Sequence, residues 1–166
     1  MRIVTGVLLL LAATLLQITL ATRVTLLQGS PDLVLLVLVA WLMLPGNRPD
    51  WRWGLVAGLM VGYASALPDW VLIAGYAAGA GICQLLSERI WQVKLFSLFS
   101  GALLATLAVH AITMTYLLAS AQPLNLVDAF NLITIPTMLL NLIFILPLHG
   151  IMNEMSKLIS PVEEAE

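Results

Sequence analysis

Long apolar segments, separated by short stretches of charged and turn-forming residues, make up almost the whole chain of 166 residues. A run of about 20 apolar residues is long enough for a helix to cross the hydrocarbon core of a bilayer. The pattern predicts an all-α membrane protein, a bundle of six transmembrane helices. The predicted spans are residues 3–22, 32–44, 53–67, 70–87, 95–119 and 132–152. Residues 1–152 then form a single transmembrane domain, and residues 153–166 form a short cytoplasmic tail.

The second apolar segment is short for a span, because Leu33–Leu44 contains only twelve residues. Its Leu, Val, Ala, Trp and Met side chains leave no polar face, so it is not expected to lie on the membrane surface. Pro31 and Asp32 suit a helix start, where a missing N–H costs nothing and a carboxylate meets the positive helix end. Pro45–Asn47 then stops the helix. We therefore predict a span inside a bundle, where neighbouring helices cover its ends.

Small residues recur every four positions in the third and fourth segments, which are predicted to form short helices. The glycines concerned are Gly54, Gly58, Gly62, Gly75, Gly79 and Gly81. Residues four apart lie on one face of a helix, so each helix presents a groove of bare backbone that favours close helix contact. Two interpretations remain open. The grooves pack these two helices tightly inside the protein, or one groove receives the helix of a partner.

The positive residues predict the orientation of the chain. If all six segments cross, one side carries Arg2, Arg48, Arg52, Arg89, Lys94 and Lys157, and the other side carries only Arg23. Positive residues concentrate on the cytoplasmic side of membrane proteins, so both termini are expected in the cytoplasm. The uncharged run from Ile3 to Thr22 exceeds the apolar region of a signal peptide, and we interpret it as a retained first helix.

Composition limits the chemistry that the chain can perform. The chain is 61% hydrophobic and 10% charged with a net charge of −2, so a nucleic-acid partner is not expected. A lone Cys83 provides neither a disulfide framework nor a metal site. No nucleophile–base set, phosphate-binding loop or pair of acids is recognisable. We therefore predict no enzyme activity, no catalytic residue, no metal and no cofactor.

A few polar residues fall inside the predicted spans, and each is a candidate for contact between helices. They are Gln17, Gln84, His110 and Asn141. The three amides are expected to hydrogen-bond neighbouring helices. For His110 we expect a neutral ring bonded to a facing helix, with a metal or proton-relay role as the alternative. Pro147 lies inside the last span and is expected to bend it by freeing the carbonyl of Ile143.

The order of these features resembles the rod shape-determining protein MreD family. The residues that carry the resemblance are "LLQI" closing the first helix, "PDLVLLVLVAWLMLP" as the second, the glycine-spaced "GLVAGLMVGYASALPDW", the small-residue fourth helix, and "IPTMLLNLIFILPLHGIM" at the end. They cover nearly the whole chain in matching order and spacing. The resemblance implies a multi-pass protein of the bacterial cytoplasmic (inner) membrane, similar in architecture to the substrate-binding S components of ECF transporters.

For function, the resemblance implies a non-catalytic scaffold subunit of the elongasome that supports peptidoglycan synthesis and rod cell shape. Its direct partner would be MreC, and through MreC it would act with RodA, a class B penicillin-binding protein and MreB. Two alternatives stay open: the S component of an ECF-type vitamin transporter, and an accessory subunit of another large membrane complex. The docking feature of S components, small residues four apart on the first helix, is missing, because Ala12 precedes Leu16 and Ala13 precedes Gln17 at that spacing.

Overall fold

The described part of the chain is all helical. A computed structural model describes residues 2–19, 23–45, 47, 49–89, 94–123 and 125–159. It is 81% helix, and the described residues contain no strand. The helices are α1 (Arg2–Thr19), α2 (Leu33–Leu42), α3 (Arg52–Gly62), α4 (Asp69–Arg89), α5 (Lys94–Ala119), α6 (Leu126–Ala129) and α7 (Ile135–Ile159), and a π-helical turn (Phe130–Thr134) joins the last two.

Three helical stretches of the described chain are long and apolar enough to cross a membrane. By length and composition these are Asp69–Ser87, Leu95–Ala119 and Leu126–Lys157. Ile3–Thr19 and Leu33–Leu42 are shorter apolar helices. The all-helical architecture predicted from the sequence is confirmed, and the three long stretches indicate a membrane protein.

The short helix α2 lies at the centre of the bundle. It contacts α1, α3, α4, α5 and α7. Every residue from Val34 to Leu42 is buried. A helix that is apolar on all sides is stable only where apolar groups surround it, and neighbouring helices supply that surrounding here. Its ten residues rise about 15 Å, which is half of a hydrocarbon core.

The third and fourth helices differ from their predicted bounds. α3 ends at Gly62 rather than Leu67, because the chain turns there: the Ala64 N–H donates to the Val61 carbonyl at 3.0 Å. The prediction that the fourth helix is short was wrong, since α4 has 21 residues. The predicted segment ended where charged residues begin, but Glu and Arg are good helix formers and α4 continues through them to Arg89.

The last helical stretch is longer than the predicted span of residues 132–152. It begins at Leu126, because the Asn125 side chain caps it by accepting the Val127 N–H at 3.0 Å. It ends at Ile159, so residues 153–159 of the predicted tail are helical. Residues 160–166 of that tail, like residues 20–22 of the first predicted span, lie outside the described residues.

The loop that precedes α2, residues 23–32, packs against the π-helical turn and the start of α7. Pro136 has no N–H, so it cannot donate to the Leu132 carbonyl four residues earlier. That carbonyl instead accepts the Gln28 N–H of the loop at 3.1 Å. A Cβ at Gly29 would lie 2.7 Å from the Thr137 nitrogen, so only glycine allows this approach. The loop therefore joins the start of α2 to the start of α7.

Candidate functional site: the polar network around the central helix

Polar groups of several described helices meet at the amino-terminal end of α2. The first four N–H groups of a helix have no partner within the helix, and in a membrane interior they must find one in the protein. Asp32 caps α2, and its Oδ1 accepts the Leu35 N–H at 3.0 Å. The first bond within the helix runs from the Leu36 N–H to the Asp32 carbonyl at 2.9 Å.

Side chains of two neighbouring helices bind the remaining amides of this end. Asn141 of α7 accepts the Asp32 N–H on its Oδ1 at 2.9 Å. Gln17 of α1 accepts the Leu33 N–H on its Oε1 at 2.6 Å and donates from Nε2 to the Pro31 carbonyl at 3.1 Å. The N–H groups of Asp32, Leu33 and Leu35 are thus bound by one cap residue and two side-chain amides.

Two further helices join the same network. The Tyr76 hydroxyl of α4 lies 2.8 Å and 2.7 Å from the two carboxylate oxygens of Asp32, to which it donates. Asn141 donates from Nδ2 to the Thr106 hydroxyl of α5 at 2.9 Å, and Thr106 donates to the Ala102 carbonyl at 2.7 Å. Tyr76, Asn141 and Thr106 are 2%, 1% and 0% exposed. Side chains of α1, α4, α5 and α7 therefore meet at one end of α2.

Asp32 is the acidic side chain of this network. Its carboxylate is only partly exposed, and its partners are the Tyr76 hydroxyl, backbone amides and the positive end of the α2 dipole. Among the described side chains the one ion pair is Lys157–Glu154 at 2.6 Å, far along α7, so Asp32 is stabilised by hydrogen bonds rather than by a cation. The sequence placed Asp32 at a helix start and predicted that its carboxylate meets the positive helix end, but missed both the capping hydrogen bond and the network around it.

The carboxyl-terminal end of α2 is closed in a different way. Asn47 donates from Nδ2 to the Trp41 carbonyl at 2.8 Å, and the His149 ring of α7 faces the Ala40 carbonyl. The Trp41 ring packs edge-on against Trp53 of α3, with centroids 5.8 Å apart and planes at 66°. Nδ1 of His149 is buried and has no hydrogen-bond partner among the described residues. Aromatic packing dominates this end.

The other two polar candidates lie away from the network. Nδ1 of His110 on α5 is 2.9 Å from the Thr134 hydroxyl in the π-helical turn, so the ring contacts a facing helical element. Gln84 of α4 accepts the Trp51 N–H on its Oε1 at 3.2 Å. Among the described residues, no group of three or more His, Cys, Asp or Glu is placed to hold a metal ion.

The α3 glycines lie against α4. A Cβ at Gly54 would meet the Tyr76 carbonyl oxygen, and a Cβ at Gly58 would lie 2.5 Å from the Ile73 Cα. A Cβ at Gly62 would lie 2.9 Å from the Asp69 carboxylate. The backbones of α3 and α4 therefore touch along the whole length of α3.

The α4 glycines divide into two kinds. A Cβ at Gly75 would lie 3.3 Å from the Val109 Cα, and one at Gly79 would lie 3.1 Å from the Ala105 Cβ, so both face α5. A Cβ at Gly81 would meet no atom within 4 Å. Five of the six glycines are thus occupied by contacts inside the chain, which favours the intramolecular interpretation, and Gly81 alone of the six is open.

The two prolines among the candidates have separate roles. Pro31 is buried directly before the cap of α2, where its carbonyl accepts from Gln17. Pro147 lies inside α7, and the helix continues through it to Ile159. Its ring has no N–H to offer the Ile143 carbonyl, and the bend expected there stays a prediction.

Comparisons of this chain with family models, curated proteins and solved structures found no match. Its geometry and its sequence therefore carry the functional conclusion. The described polar side chains at the centre hydrogen-bond to helix ends and to one another, which is an arrangement suited to holding helices together.

Proposed function

We propose that this protein is a non-catalytic scaffold subunit of the bacterial elongasome, with the role that its resemblance to the MreD family implies. It binds MreC within the membrane and, through MreC, acts with RodA, a class B penicillin-binding protein and MreB. The observation that supports the proposal most is the network around α2. Its polar groups bind the ends of a buried helix and each other, so their evident task is to fix a helical body.

The proposed topology has six membrane crossings with both termini in the cytoplasm. The distribution of positive residues supports it, with Arg23 opposite the others. The enclosure of α2 also supports it, because a helix of ten residues crosses only when protein covers its ends. Alkaline phosphatase fused at Gln122 is expected to be active and a fusion at Asn47 inactive. The reverse pattern would contradict this topology.

Affinity for the partner is proposed to come from helix packing in the bilayer. Large apolar side chains are exposed along α1 and α7, among them Leu8, Leu15 and Ile143. Membrane helices associate through van der Waals contact and interhelical hydrogen bonds, because lipid offers no hydrophobic drive between them. A transmembrane helix of MreC would therefore replace lipid on an outer face of this bundle.

The test is purification of the tagged chain from native membranes in mild detergent, with mass spectrometry of the proteins that accompany it. An unrelated multi-pass protein with the same tag, expressed to the same level, is the control. Enrichment of MreC, with or without RodA and the penicillin-binding protein, is the expected result. Enrichment of paired ATPases with their membrane coupler would overturn the proposal in favour of an ECF S component. Absence of MreC at equal yield would also contradict it.

A further inference from the structure

The apolar side chains of α2 do not by themselves define where this helix sits. Its sequence is LVLLVLVAWL, and buried neighbours surround it on every side. Moving a helix along its axis by one residue shifts it about 1.5 Å and turns it about 100°. Such a shift replaces most Leu and Val positions by Val or Leu, which differ by one methylene. Cores tolerate exchanges of this size at small cost, so over residues 33–39 apolar packing separates the native and the shifted register weakly. Only at Ala40 and Trp41, where the shift would exchange a small and a large buried side chain, does packing resist it.

The hydrogen bonds at the amino-terminal end behave differently, because they are directional. The Asp32 and Leu33 amides point at Asn141 and Gln17, over 2.9 Å and 2.6 Å. A shift of one residue would carry both amides out of hydrogen-bonding geometry. It would also remove the carboxylate from Tyr76 and leave buried polar groups of three helices without partners, which is costly in a dry interior.

We propose that Gln17, Tyr76 and Asn141 are positioning residues that fix the axial position and the rotation of α2 within the bundle. Each holds the amino-terminal end of α2 from a different helix, α1, α4 or α7. The device is independent of the proposed scaffold function, since it concerns only contacts inside the chain. The Trp41 ring at the other end, packed edge-on against Trp53, also opposes a turn of about 100°, so the three polar side chains act together with it.

Disulfide cross-linking between α2 and α5 tests the proposal. A Cβ at Gly101 would lie 3.5 Å from Cγ1 of Val39, so Val39→Cys and Gly101→Cys are placed to form a disulfide in the native register. Leu38→Cys and Ala40→Cys, each paired with Gly101→Cys, report a helix turned by one residue in either direction. All three pairs are made in a Cys83→Ala background, because the Cys83 sulfur lies 3.4 Å from the same point.

With no other substitution, only the pair of Val39→Cys with Gly101→Cys is expected to give a high yield of disulfide. With Gln17→Met and Asn141→Leu together, cross-links at positions 38 and 40 should rise toward the yield at position 39. Each interhelical hydrogen bond lost changes the ratio of registers about threefold. Trp41→Leu is the matched control at the other end and should leave position 39 as the dominant cross-link. An unchanged pattern after loss of Gln17 and Asn141, or an equal spread with Trp41→Leu, would overturn the proposal.

Milder variants keep the test decisive if the double variant does not accumulate as folded protein. Tyr76→Phe removes one donor and preserves the ring, and Gln17→Met alone removes two bonds and preserves the side-chain length. Each should broaden the cross-linking pattern by a smaller amount. If neither broadens it while the protein remains folded, the polar network does not fix the register.

Discussion

The two ends of α2 are both closed by other parts of the chain, but by different forces. At the amino-terminal end, Asn141 and Gln17 bind backbone amides and Tyr76 binds the capping carboxylate. At the carboxyl-terminal end, Trp41 and Trp53 fill space. Hydrogen bonds between membrane helices contribute about 0.6 kcal/mol each but fix direction. Aromatic packing contributes more and fixes direction less.

The two ends of α2 are therefore expected to contribute differently, the Trp41 end mainly to stability and the Asp32 end mainly to a single register of the helix. Loss of packing at the Trp41 end is expected to lower the free energy of unfolding strongly while leaving α2 in its register. Loss of hydrogen bonds at the Asp32 end is expected to lower it less while allowing other registers. Buried polar networks have been associated with this specifying role more securely than with net stability.

The largest effect is expected where both ends are disturbed at once. The α3–α4 pair provides Trp53 to one end and Tyr76 to the other, and Gly58 is where their backbones touch. Gly58→Leu should separate them and lower the free energy of unfolding by more than about 3 kcal/mol, above the usual cost of overpacking because the new side chain would meet backbone atoms. Titration with SDS in mixed micelles measures this.

Gly81→Leu is the matched control for this variant, since it adds the same side chain to the same helix pair where no atom lies within 4 Å. It should change the free energy of unfolding by less than about 0.5 kcal/mol. Equal losses for the two variants would show that the α3–α4 contact is not what holds both ends.

The next largest effect is expected at the Trp41 end. Trp41→Ala removes a ring that is 8% exposed and should lower the free energy of unfolding by about 3 kcal/mol. Trp41→Phe keeps part of the ring contact with Trp53 and should cost less than half as much. The same SDS titration measures both. A loss below about 1 kcal/mol for the alanine variant would remove the contrast between packing and hydrogen bonding at the two ends.

A smaller effect is expected from the cap itself. Asp32→Leu removes the acceptor for the Leu35 amide and for Tyr76, and should lower the free energy of unfolding by about 2 kcal/mol. Asp32→Asn retains an oxygen that caps a helix as well as aspartate does, so its stability should be close to that of the unchanged chain. If Asn costs as much as Leu, then the negative charge, and not the hydrogen-bond geometry, is what the amino-terminal end requires.

Much of the fold could be predicted from the pattern of apolar residues. The absence of a polar face on Leu33–Leu44 predicted a span inside a bundle, and Pro31 with Asp32 predicted the helix start; the structure has a helix there, over Leu33–Leu42, and it is buried. The ends of the helices were harder to predict, because the sequence shows where the apolar residues stop and not where the backbone hydrogen bonding stops. α4 and α7 therefore run past their predicted ends into charged residues that support helix.

The meeting of the polar residues at one site could be predicted only in part. Gln17 and Asp32 flank a single connection between two predicted helices, so they had to lie near the same end of the bundle. Tyr76 and Thr106 gave no such signal, because their depth depends on how far α4 and α5 extend and on which face each turns toward α2. Those quantities arise from packing among helices of nearly uniform hydrophobicity, which sequence periodicity does not resolve.

The smallest expected effect gives the sharpest comparison of the two ends. Gln17→Met removes the bonds to the Leu33 amide and the Pro31 carbonyl but keeps the length of the side chain. The expected loss is about 1 kcal/mol, since two interhelical hydrogen bonds of about 0.6 kcal/mol are lost. Amide hydrogen exchange should nevertheless speed up at Leu33 far more than at Trp41 and Leu42, because only the Leu33 amide loses its partner. Equal acceleration along α2 would mean that Gln17 stabilises the helix as a whole, and the distinction between its two ends would fail.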